Sequence, residues 1–186
     1  MSKGRYFRGW EVVAGCFVMA MVSWGLGFYG TGLYLAYLVG ERGMPISAVS
    51  GGITAYFWLS ALMIMSCGPL IDRAGPRLSV SIGTVAMVLA LSAIARVEAV
   101  WQFYAALGLL AISWTTMTSS AINAILAPWF VRKRGMALSL ALTGASFGGI
   151  AVVPLVSAAI HAYGERKGLT LAAAGFGALI LLVAWR

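Results

Sequence analysis

Six apolar runs, joined by polar stretches only a few residues long, leave this chain little choice of architecture. They occupy about 10–38, 46–71, 78–95, 99–127, 136–162 and 169–185. A helix crossing the hydrocarbon core of a bilayer needs about 17 to 25 residues, and each run suffices. Inside hydrocarbon every backbone N–H and C=O must be bonded within the chain, so the runs read as helices. A water-soluble alternative fails on composition. At 61% hydrophobic and 10% charged residues, the chain cannot cover a water-facing surface with polar side chains. The predicted fold class is an all-α integral membrane domain of six helices, preceded by a basic and aromatic segment at residues 1–9. The run that follows this segment is too long for a cleaved signal peptide and is read as the first helix.

A net charge of +8 would suit a nucleic-acid partner if it were gathered on one surface, but the basic residues are scattered over the short joints. No nucleic-acid partner is expected. Lys3, Arg5, Arg8, Arg73, Arg77, Arg132, Lys133, Arg134 and Arg186 fall on one side, and Arg42, Arg96, Arg166 and Lys167 on the other. That bias predicts a multi-pass protein of the cell (inner) membrane with both termini in the cytoplasm. Cys16 and Cys67 lie in apolar runs and read as small hydrophobes. His161 falls at the outer end of the fifth run and reads as interfacial. With no clustered ligands and no nucleophile beside a base, neither metal, cofactor nor enzyme chemistry is expected.

The polar joint after the second run, Gly68–Arg77, holds the chain's one aspartate, Asp72. A carboxylate at the C-terminal end of a helix faces the negative pole of the helix dipole and calls for a cationic or helix N-terminal partner. Arg73 and Arg77 suit the carbonyl-rich helix end, and Ala74-Gly75-Pro76 forces a tight turn into the next helix. This joint is read as the moving part. The alternative is an ordinary loop that obeys the charge bias.

Gly68, Asp72, Arg73, Gly75 and Arg77 match the loop between the second and third helices of the major facilitator superfamily, which this chain resembles. Pro76 and Leu78 depart from that loop's fully basic ending. The resemblance implies the N-terminal six-helix half of that fold, built from two inverted three-helix repeats. Asp72-Arg73-Ala74-Gly75 and Glu165-Arg166-Lys167-Gly168 lie half the chain apart, as do Ser50-Gly51-Gly52 and Thr143-Gly144-Ala145. Such spacing is expected of a repeat, although glycine richness alone can produce it. The glycine-dense stretches Gly25–Gly32 and Gly144–Gly149 suggest close packing or local bending in the first and fifth helices.

Around the fourth joint, Trp129-Phe130, the basic Arg132-Lys133-Arg134 and Gly135 are similar to the monocarboxylate transporters and the oxalate–formate antiporter group, as is the opening Arg8-Gly9-Trp10-Glu11. The resemblance implies a secondary transporter that moves a small organic anion by alternating access, with the first and fourth helices lining the cavity. It makes Tyr29, Trp114, Thr118, Thr31 and Asn123 the candidate substrate-binding residues. Ser23, Trp24, Tyr34, Thr54, Tyr56, Trp58, Thr115, Thr116, Thr143 and Ser146 are the remaining polar or aromatic candidates, and for each serine or threonine among them bonding one helix to another is the better reading. Such transporters carry twelve helices, so the expected partners are the lipid bilayer, the substrate, and either an absent C-terminal half or a second copy of this chain. A non-transporting remnant or scaffold is the competing reading.

Overall fold

A computed structural model describes residues 8–65 and 67–185, with Cys67, Gly68, Leu70 and Asp72 described in backbone only. Every regular element among the described residues is helical: α1 (Gly9–Trp24), a π-helical turn (Gly25–Tyr29), α2 (Gly30–Gly40), α3 (Ile46–Ile64), α4 (Cys67–Ala74), α5 (Pro76–Ile94), α6 (Val100–Met117), α7 (Ser119–Leu126), α8 (Arg134–Phe147), a second π turn (Gly148–Val152), α9 (Val153–Tyr163) and α10 (Glu165–Ala184). They make six segments long and apolar enough to span a bilayer, Gly9–Gly40, Ile46–Ile64, Pro76–Ile94, Val100–Leu126, Arg134–Tyr163 and Glu165–Ala184.

The spans pack with an approximate two-fold correspondence. The first lies on the fifth through α1 and α8, as the fourth lies on the second through α6 and α3, while the third lies on the sixth through α5 and α10. Exchanging spans one, two and three for four, five and six preserves these pairings, as two inverted repeats require. The joints correspond too. Gly75 (φ 80°, ψ 156°) starts the third span and Gly164 (φ 75°, ψ 162°) starts the sixth. That backbone region is open essentially to glycine alone. The structural repeat therefore sets Gly75 opposite Gly164, whereas the sequence pairing set it opposite Gly168, one turn later and inside α10. Gly168 is buried where a side chain would meet the backbone of Ala159 and Ile160, so it serves helix packing and not a turn.

The first and fifth spans carry a π turn near mid-length, and the fourth is divided at Thr118. The third and sixth run unbroken. At their point of contact the two π turns abut, because Gly144 and Gly148 let α8 press against the backbone carbonyls of Phe17 and Met21 in α1.

Polar contacts gather at the two ends. On the face opposite the basic joints, Arg166 pairs with Glu98 at 3.2 Å. Arg42 donates through Nε to the Tyr37 hydroxyl at 2.9 Å, and that bond holds its guanidinium pKa above the ordinary value. On the basic face Arg134 donates to the Asn123 side-chain oxygen at 2.9 and 3.3 Å, and Trp10 meets Phe130 edge-on at 5.3 Å.

Candidate substrate site

A π turn adds a residue to a helical turn, so carbonyls around it lose their usual i+4 amide partner. Three consecutive carbonyls of the first span's π turn are met by side-chain hydroxyls. Tyr34 donates to Leu26 at 2.8 Å, Tyr56 of α3 donates to Gly27 at 3.1 Å, and Thr31 donates to Phe28 at 2.6 Å. Tyr34 and Tyr56 are each 1% exposed, so their phenols act as fixed internal donors, and Tyr56 also ties the second span to the first.

Trp114 of α6 is set over this turn. Its indole lies against Gly27, where a Cβ would come within 2.7 Å of the ring. Around it stand Trp24 (centroids 5.0 Å apart), Phe28 (6.4 Å, stacked), Tyr56 (6.4 Å) and Phe57 (6.5 Å). Phe28 in turn touches Phe57 at 5.8 Å and Tyr29 at 5.3 Å. Tyr29 packs over Gly149 in the π turn of the fifth span. The result is an aromatic wall drawn from the first, second and fourth spans. Tyr56 is buried, Trp24, Phe57 and Trp114 are half-buried, and the wall opens at Phe28, 47% exposed, and Tyr29, 41% exposed.

Next to the wall, α6 stops. Thr118 takes an extended conformation (φ −81°, ψ −173°), which separates α6 from α7. Ser23 of α1 donates to the Met117 carbonyl across the break at 3.3 Å. Among the described residues, Ser60 and Thr118 are the buried side chains whose polar atom has no hydrogen-bond partner.

Of the residues singled out from sequence, Tyr29 and Trp114 thus belong to one aromatic assembly, linked through Phe28. Thr31 lies one turn beyond, its hydroxyl engaged with the backbone. Thr118 forms the break a turn after Trp114. Asn123 lies further along α7 and holds Arg134, apart from the wall. In the joint, Gly75 adopts the positive φ, and Arg73 and Arg77 are exposed. The side chain of Asp72 lies outside the described residues, as does everything at Gly68 beyond its backbone. Phe28 and Phe57 escaped the sequence reading because an apolar ring in a membrane helix carries no mark that separates a cavity wall from lipid contact.

Helices interrupted within their length and converging on one aromatic cluster make a repeat-related membrane bundle. The sequence agrees. Residues 13–186 match the Major Facilitator Superfamily, and the chain belongs to that family. It is 28% identical over 157 residues to the riboflavin transporter MCH5 of Saccharomyces cerevisiae, covering 81% of this chain and 29% of that protein. It is 34% identical over 131 residues to the alpha-ketoglutarate permease of Escherichia coli, covering 67% of this chain and 30% of the permease. Monocarboxylate transporter 13 of Bos taurus is 26% identical over 173 residues, covering 89% of this chain and 39% of the bovine protein. The chain spans less than two thirds of the length of each of these curated relatives.

Proposed function

We propose that the chain is the N-terminal six-helix half of a secondary transporter that moves a small organic anion, a mono- or dicarboxylate, by alternating access. The observation that carries the reading is the aromatic wall around Trp114, mounted on the π turn and open at Phe28 and Tyr29. Relatives named for alpha-ketoglutarate and for monocarboxylates support the substrate class. In this reading Tyr29, Trp114 and Thr118 meet the substrate, while Thr31 and Asn123 border the path. The joint Gly68, Asp72, Arg73, Gly75 and Arg77 governs exchange between access states. Both termini face the cytoplasm.

Uptake of labelled oxalate, formate, lactate and pyruvate into proteoliposomes that hold the complete transporter, with both six-helix halves, tests the substrate class. Trp114→Ala should raise KM about tenfold, the equivalent of about 1.4 kcal/mol of binding. Saturable uptake of none of the four would overturn it. A second reading, a planar neutral substrate, draws on the same wall and on the relative named for riboflavin. Riboflavin uptake that the carboxylates fail to inhibit would favour it. Asp72→Asn should slow turnover far more than it lowers membrane expression, because one access state loses a charge interaction worth about 1 to 3 kcal/mol. Unchanged kinetics would return Asp72 to an ordinary loop residue. Single cysteines at Ser2 and Lys133 should react with impermeant thiol reagents only from the cytoplasmic side, and labelling of either in intact cells would refute the orientation.

A further inference from the structure

Helix α7 begins inside a membrane span without a cap. Because Thr118 is extended, the amides of Ser119, Ser120 and Ala121 have no carbonyl one turn earlier to bond, as at any helix start. The usual remedy is a side-chain oxygen at the N-cap that accepts from these amides. Thr118 is the right residue type, yet its side chain makes no cap bond, and its hydroxyl has no hydrogen-bond partner although the residue is only 2% exposed. Three of the carbonyls around the break are engaged. The Thr118 carbonyl accepts from Ile122 at 3.0 Å, the Trp114 carbonyl from the Thr118 amide at 3.1 Å, and the Met117 carbonyl from Ser23 at 3.3 Å. What the start of α7 itself presents is a group of donors, backed by the positive end of the α7 dipole. With eight residues in α7, the group sits about 12 Å in from the end of the span. Ser119 and Ser120 are exposed there.

We infer that the start of α7, the Thr118 hydroxyl with the amides of Ser119 and Ser120, is an anion site within the bundle that takes the carboxylate of the substrate. The inference rests on the organic-anion reading above and supplies what the spans otherwise lack. Away from their ends they contain no lysine or arginine. A half-helix start can meet an anion with dipole and amides alone. Trp114 lies one turn before Thr118 on the same helix, so the anion site and the aromatic wall adjoin.

The test uses the protein as its host expresses it, in phospholipid nanodiscs. Tryptophan fluorescence is titrated with oxalate and acetate, and with oxamide and acetamide as uncharged analogues. The acids should give a saturable change and the amides none. Thr118→Val keeps the side-chain shape and removes the hydroxyl. Ser119→Pro removes one amide at a position where proline starts helices well, and the extended Thr118 before it is the conformation a following proline favours. Each variant should weaken the acid response by about tenfold or more, as expected for a lost hydrogen bond to a charged group, with an unchanged melting temperature. An equal response to acids and amides, or an acid response that both variants keep, overturns the site. Uptake measured on the same proteins separates the two readings. Carboxylate transport that both variants retain at full affinity leaves the organic-anion transporter standing without this site. Acid binding that the variants abolish, in a protein that transports no carboxylate, keeps the site and removes the transport reading.

Discussion

Tyr34 and Tyr56 are buried phenols whose hydroxyls donate to carbonyls of the π turn. Tyr56→Phe removes the bond to the Gly27 carbonyl and should cost about 0.5 to 1.5 kcal/mol, at the lower end if the membrane-embedded chain relaxes onto another donor. Chemical unfolding in detergent measures the loss, and an unchanged midpoint would assign the contact no weight. Gly75→Ala forces a side chain into the φ 80° backbone and should cost about 1 to 3 kcal/mol. The same change at Gly32, where a Cβ meets nothing, should be neutral or stabilising. At this scale the sequence was readable only by type. Tyr34, Tyr56, Thr31 and Ser23 announced themselves as polar groups in apolar helices, which need partners. Their partners are backbone carbonyls, created by a π insertion and a helix break that no hydropathy pattern records.

Element by element, the length of the apolar runs located the helices because lipid punishes any unbonded backbone, and so the count of six spans and the all-helical class were legible. The interruptions were not. Nothing in Thr115-Thr116-Met117-Thr118-Ser119 resembles a turn, and the break depends on Ser23 reaching across from α1 to take the freed carbonyl. The glycine-dense stretches did point to bending in the first and fifth spans, and both carry a π turn at that place. The ion pair that joins α10 to the segment before α6 is a weak brace. Glu98 and Arg166 have side chains 69% and 58% exposed, and exposed pairs contribute about 0 to 1 kcal/mol. Glu98→Gln should therefore shift the melting temperature by no more than a degree or two and should do less still in high salt. A large shift would mean that the pair, and not helix packing, holds the start of α10 to the segment before α6.

For the whole molecule, the two-fold correspondence relates spans one and four, and spans two and five. The π turns of the first and fifth spans abut, and the first span's turn and the fourth span's break lie beside the aromatic wall. A binding site of this kind normally encloses about 70 to 90% of its ligand's surface. Here the wall stands on one side only, with Phe28 at 47% and Tyr29 at 41% exposure, so a substrate laid against it keeps its far side uncovered. The chain spans 29% to 52% of the lengths of its relatives, and the proposed half-transporter sets a second six-helix unit opposite this one. The 186-residue chain reconstituted by itself should consequently bind carboxylates weakly and show no saturable uptake above empty liposomes. Co-reconstitution with a facing six-helix unit from a relative should restore uptake if the two walls are complementary. Saturable uptake by the short chain alone, together with a dimer in cross-linking, would replace the missing half with a second copy and make the wall around Trp114 part of a symmetric cavity.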